Sequence, residues 1–418
     1  MRKEDIRSRI TDLIIFAAAL VIFSYFFGRL VYCQTIYAGR TDGYRSDIVA
    51  YMAYIVEGKD SGYIISYPIF FWLGRLFSKF MSVDYAITWV EVLLNAAAVI
   101  ITKYFFDKIV FEKYKATDKW YTRMFVSFVT IACFFLSMWW LPRLAPIHLP
   151  GKYQVFLGTY SGNPWHNSTY IATRPFAIAA FFSFVSLLDT YEDKFEVKDG
   201  VLFGISLLLS TMAKPSFTLL FVSAAGLVMA FRLIMSRFKN FKNTMLLTLC
   251  FLPTFADLYY QFFMVFGEGN PNEEHGIGFG WFDVWKVYNE HVLAAIFYAN
   301  AFALFCILCF LKDVKEDAMY RFSIVLFLVS VLEAGILYEK GERFIDFNFG
   351  WGYMHGIFFF ELVAAIKLTD RTIKKQKPVL TGLCWVLFLI HLFAGVMYFR
   401  GLYYGYDYNT LLPCTWTT

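Results

Sequence analysis

The sequence predicts an all-α, polytopic membrane protein built as one domain over residues 1–418. Three observations carry that expectation. Charge is scarce: Asp, Glu, Lys and Arg make up 17% of the chain, against about 25% in soluble domains. Apolar runs of spanning length recur eleven times. Lys and Arg collect in alternate connections between those runs, as short cytoplasmic loops of membrane proteins do.

The eleven expected spans are 13–32, 85–106, 125–141, 170–188, 201–212, 217–233, 244–266, 292–311, 322–338, 352–366 and 379–399. The first follows a charged start and no small-residue cleavage site, so it reads as a retained span rather than a signal peptide. The fifth is the shortest. It is parted from the sixth by Ala213-Lys214-Pro215-Ser216.

Basic residues test the order. Arg2, Lys3, Arg7 and Arg9 precede span one, and Lys108, Lys113, Lys115, Lys119 and Arg123 follow span two. Further groups lie after spans six, eight and ten. This alternation puts the N-terminus in the cytoplasm and the C-terminus outside. The membrane is expected to be the cell (plasma) membrane. The formal net charge of +5 then reports topology, and no nucleic-acid partner is implied.

The opposite connections are rich in Trp, Tyr, His, Asn, Gly and acids. The first holds two amphipathic pieces that are expected to lie on the membrane surface. One opens at Ser46 or Asp47, either of which can cap a helix. Ile48, Tyr51, Met52 and Ile55 recur at helical spacing, and Gly58 can end it. The other runs over 69–80, with Pro68 fixing its start.

Candidate chemistry gathers on this face. Asp47 would hold a carboxylate at the membrane surface, with Asp42 five residues earlier. Asp346 and His148 are further acids and bases. Arg143, Lys152, Arg174, Lys214 and Arg343 could steady a leaving phosphate. Lys214 stands out, because a lysine between two apolar runs is costly without a partner. Its bland alternative is a loop residue that snorkels. For Arg343, in Glu-Arg-Phe-Ile-Asp, the alternative is a local ion pair. Trp165, His166 and Asn167 suit either a headgroup belt or a sugar. Asp47 itself reads equally well as a helix cap.

Other classes find little support. The chain has no Walker sequence, no His-Glu-x-x-His and no strand before Gly276-Ile-Gly-Phe-Gly280. The seven cysteines imply no disulfide framework, and Cys306 and Cys309 lack a second ligand pair. Glu91, Asp257, Glu333 and Glu361 fall inside expected spans without an evident relay. No internal repeat is evident.

As architecture, the whole chain resembles the polytopic glycosyltransferases of the GT-C class. Asp47 matches that class's acidic residue in the first outer connection, and Ala213-Lys214-Pro215-Ser216-Phe217 resembles its broken helix pair. Arg45-Ser46-Asp47-Ile48 and Trp165-His166-Asn167 are similar to bacterial members of unassigned specificity. The resemblance implies sugar transfer from a polyprenyl-phosphate donor to an extracytoplasmic acceptor, a cell-surface or lipid-linked glycan. It implies Asp47 as general base and the other outer-face residues as substrate contacts. No cofactor is read from the sequence. The doubled Asp-Glu of some members is missing, so a divalent metal ion stays open. An O-antigen-type polymerase or ligase, and a transporter or flippase of lipid-linked glycans, remain alternatives.

Overall fold

Apolar runs free of Pro and Gly clusters become long helices, because a bilayer leaves the backbone no partner but itself. The computed structural model describes residues 3–41, 43–62, 65–139, 156–266 and 276–409. In chain order its helices are α1 (Lys3–Tyr37), α2 (Ile48–Glu57), α3 (Ile69–Phe77), α4 (Val83–Asp107), α5 (Trp120–Cys133), α6 (Ser168–Leu188), α7 (Val197–Ala213) and α8 (Pro215–Met235). Then come α9 (Phe241–Leu249), α10 (Leu252–Phe266), α11 (Asp283–Tyr288), α12 (Val292–Cys309), α13 (Leu311–Glu316), α14 (Ala318–Ile336), α15 (Gly350–Ile373) and α16 (Pro378–Tyr403). Two three-residue strands, β1 (Ile277–Phe279) and β2 (Leu337–Glu339), pair antiparallel.

Eight described helices are long and apolar enough to cross a membrane, or nine if the bent pair α9 and α10 is one span. The protein is thus an all-α integral membrane protein, with fewer full-length spans than the eleven expected. The expected span 125–141 is helical only as α5, 14 residues long. Asn163 explains the stop. Its side-chain amide donates to the carbonyls of Cys133 (3.2 Å) and Leu136 (2.9 Å), taking partners that a continuing helix would have supplied. The expected span 201–212 becomes α7, 17 residues long, ending just before Lys214. The expected span 244–266 bends by 45° between α9 and α10. Pro253 has no N–H to continue the ladder of α9 and its ring crowds the preceding turn.

The two central helices are α6 and α15. They read apolar all round rather than striped, and such helices belong in the interior. Between them Phe181 stacks on Phe359 at 4.5 Å and Tyr170 stacks on His355 at 4.1 Å. The outer helices expose Leu13, Ile14, Val21, Leu227 and Phe231, an apolar coat suited to acyl chains.

Charge concentrates at both ends of the bundle. At one end Lys113 pairs with Asp189 (2.5 Å), Lys367 with Asp317 and Arg371 with Asp313. On α15, Lys367 lies sixteen residues from Trp351, which is about 24 Å along a helix. The other end holds α2, α3 and the residues described next.

Candidate functional site

The chain around Asp47 folds locally as its pattern suggests. The helix α2 buries Ile48, Tyr51 and Ile55 on one side, and Gly58 ends it with a positive φ of 65°. Asp47 occupies the position before α2, yet its side chain does not cap the helix. Ser46 serves instead, accepting from the Ile48 amide at 3.3 Å and donating to the His166 carbonyl at 2.7 Å. The carboxylate is left to face inward, where it accepts from the side-chain amide of Asn167. The capping reading of Asp47 therefore does not describe this geometry.

Asn167 is the hub. Its Oδ1 caps α6 by accepting from the Tyr170 amide at 2.9 Å. The same oxygen accepts from Thr169 (3.0 Å) and from Lys214 Nζ (3.1 Å). Its Nδ2 donates to Asp47 and, at 3.2 Å, to the Tyr51 hydroxyl. One amide thus lies between the carboxylate and the ammonium and bonds both, which orients each without joining them directly.

Lys214 sits at the break expected from Ala213-Lys214-Pro215-Ser216. It is extended (φ −168°), with α7 ending before it and Pro215 opening α8 after it. The side chain is buried, bonded also to Thr169 at 3.3 Å, with Nζ 4.0 Å from the centroid of the Trp351 ring. That contact is a cation–π interaction in a desolvated setting. Burial pulls the ammonium down to about 7, and the Asp47 carboxylate opposes that fall.

Two cavities meet here. A groove of about 650 Å³ is walled by Leu219, Leu258, Phe262, Phe263 and Val265, with Lys214, Ser216, Glu339 and Arg343 at its polar end. A second chamber of about 410 Å³ holds Asp47, His166, Asp346, Tyr288, Tyr408 and Tyr160. Trp351 and Asn348 line both. The carboxylate opens into the polar chamber, the ammonium into the apolar groove.

Asp47 is open to its chamber but ringed by protein on the other sides. That enclosure pushes its carboxyl up, against the pull of Lys214 and Asn167. His166 is 4% exposed, and its ring lies flat on Tyr408 with centroids 4.0 Å apart. Burial, then the charge of Lys214, lowers the imidazole to about 3, so it is neutral at physiological pH. Tyr408 arrives on the chain after α16. That segment is held by Asp407 against Arg45 (3.4 Å) and by Asn409 Oδ1 accepting from the Leu157 amide (3.0 Å).

Other expected contacts fall elsewhere. Trp165 is not at an interface. It is 1% exposed, packed between Phe23, Phe27, Phe135 and Phe399, because the tight turn before α6 directs it inward. Arg174 lines neither cavity. Its Nη1 donates to Asn163 Oδ1 at 2.7 Å, and its guanidinium lies over Trp165 and Tyr170. Arg343 does reach the groove, but Nε lies 3.6 Å from Asp346, within the stretch where a local ion pair was anticipated, and is paired more closely with Glu339 (2.9 Å), outside that stretch. Asp42, Arg143, His148 and Lys152 lie outside the described residues.

Sequence reasoning missed Trp351, Asn348, Ser216 and Tyr408. Trp351 carried a weak signal, an aromatic between two glycines at the start of an expected span. Among the described residues no group of three or more His, Cys, Asp or Glu is placed to hold a metal ion. No protein-family model matches this chain, and no curated protein matches it.

Proposed function

We propose that this protein is a membrane glycosyltransferase of the GT-C type, moving a sugar from a polyprenyl-phosphate donor to an extracytoplasmic glycan acceptor. The observation that carries this reading is the pairing of an apolar groove ending at Lys214 with a polar chamber holding Asp47, across the shared wall of Trp351 and Asn348. The groove suits an isoprenoid tail. The chamber, with its carboxylates and aromatic rings, suits a sugar.

The chemistry follows from those places. Asp47 takes the proton of the acceptor hydroxyl. The hydroxyl oxygen bonds to the anomeric carbon while the bond from that carbon to the phosphate oxygen breaks. The electron pair leaves with the polyprenyl phosphate, whose growing charge Lys214 offsets. His166, kept neutral, offers a hydrogen-bonding edge and a stacked face rather than a charge. Asn167 holds Asp47 and Lys214 at fixed orientation, the role that preorganised polar groups play in such sites.

Mass spectrometry of lipid extracts tests this reading. Cells lacking the chain should accumulate a polyprenyl-phosphate sugar, and re-expression should clear it. Identical lipid profiles with and without the chain would contradict the assignment.

A further inference from the structure

The polar chamber carries more negative charge than a single base requires. Asp47 and Asp346 both line it, and no Lys or Arg does among the described residues. Asp346 opposes ionisation of Asp47, so the two carboxylates act on one another across this space. Asp47 is held by the Asn167 amide. Asp346 is held less well. It pairs with Arg343 at 3.6 Å, and that guanidinium is bonded more closely to Glu339 at 2.9 Å. His166, also in the wall, is neutral and offsets neither acid.

Two further groups in the wall are unmet. Tyr160 is 1% exposed, and its hydroxyl has no hydrogen-bond partner among the described residues. His166 is 4% exposed, and its Nδ1 has none there either. Buried polar atoms are costly to leave unmet, and a ligand that supplies the bond removes the cost. The rings of Phe156, Tyr160, Tyr288, Phe347, Trp351 and Tyr408 complete the wall. Aromatic faces attract cations. The carboxylates, the free acceptor atoms and the ring faces therefore all favour a positively charged hydrogen-bond donor.

We propose that the polar chamber selects an acceptor sugar carrying a free primary amine, with Asp346 holding its ammonium group. This rests on the transferase reading and deepens it by naming the chemical class of the acceptor. An ammonium has three N–H donors. It can pair with Asp346 and still donate to the Tyr160 oxygen or to His166 Nδ1. Seated beside Asp346, it cancels the repulsion felt by Asp47 and keeps that carboxylate ionised, the state a base requires. An N-acetyl group in the same place has no charge to offer. A uronic acid would bring a further negative charge against the two carboxylates.

NMR titration of the purified full chain tests this with the methyl glycosides of glucosamine, glucose, N-acetylglucosamine and glucuronic acid, at a pH where the amine is protonated. The glucosamine glycoside should bind at least about fivefold tighter than the glucose glycoside, and the glucuronic acid glycoside weakest. Asp346→Asn should bring the glucosamine and glucose glycosides within about twofold of each other. Glucose glycoside binding should be kept, which shows that the chamber still folds. Equal binding of these two sugars by the wild type, or binding of neither, would overturn the proposal. So would a preference for the amine that survives Asp346→Asn. Manganese ion bound by the wild type and not by Asp346→Asn, with no preference for the amine, would assign the carboxylate to a metal instead. No transfer is needed for this readout. A chain that prefers the amine through Asp346 but moves no sugar keeps this inference and loses the transferase reading. A chain that transfers sugar but shows no preference for the amine loses only this inference.

Discussion

Lys214 Nζ lies 3.1 Å from Asn167 Oδ1, and the other end of the same amide is donated to Asp47. A cation and an anion that would collapse into an ion pair are thereby kept as neighbours, each with one face toward its own cavity. The arrangement predicts that Asn167 matters for transfer beyond its value as a helix cap. Ser caps about as well as Asn but cannot reach both partners. Asn167→Ser keeps the cap but leaves the buried Lys214 ammonium and Tyr51 hydroxyl each a partner short, so it should cost about 1–3 kcal/mol of stability, and transfer is compared per folded molecule. Transfer should drop roughly tenfold or more, since the base is no longer oriented. Equal transfer by the variant would show that the bridge is incidental.

The pH profile of transfer should be bell-shaped. On the acid side Asp47, whose carboxyl is raised by its enclosure, takes up a proton and cannot act as base. On the alkaline side Lys214, lowered to about 7, loses its proton and its hold on phosphate. Activity should therefore fall as pH drops through the Asp47 value and again as pH rises through about 7. The alkaline limb should move up in kcat relative to kcat/KM, because bound phosphate holds the proton on Lys214. Lys214→Arg should flatten that limb, and Lys214→Met should lose transfer while the protein still inserts. No limb should trace to His166, which stays neutral above about 3. A profile of kcat/KM that is level from pH 6 to 9 would contradict these roles.

Arg174 should behave as a structural residue. Its guanidinium is 1% exposed and bonded to Asn163, the residue that also ends α5. Arg174→Leu would leave Asn163 Oδ1 unmet and cost about 2 kcal/mol. The variant should melt earlier in detergent, while transfer per folded molecule stays within roughly twofold of wild type. Lost transfer at unchanged melting temperature would move Arg174 into the chemistry.

Local features of this fold were legible in the sequence, and convergent ones were not. The start of α2 after Ser46 and its stop at Gly58 are written in adjacent residues, as is the break at Lys214-Pro215. The bend before α10 has a local cause in Pro253, but an unbroken apolar run hides it. The end of α5 was out of reach, because Asn163, thirty residues away, supplies the terminating bonds. Trp165 and His166 are neighbours in the chain with opposite fates, one packed in the core and one facing a cavity. No periodicity separates them, since they lie in an irregular turn. Tyr408 reaches His166 across more than two hundred residues of chain, and Trp351 reaches Lys214 from another helix. Such meetings depend on how the helices pack, which spacing alone does not encode.

The central claim is that Asp47 takes the acceptor proton. The carboxylate makes no cap bond, so a cap role cannot account for any loss on substitution. Asp47→Asn keeps nearly the same shape, and single-turnover transfer from a polyprenyl-phosphate sugar by the purified variant is the direct measurement. The variant should bind donor lipid as wild type does and transfer at least about a hundredfold more slowly, the usual worth of a positioned base. Transfer at the wild-type rate by Asp47→Asn, with donor binding intact, would contradict the account.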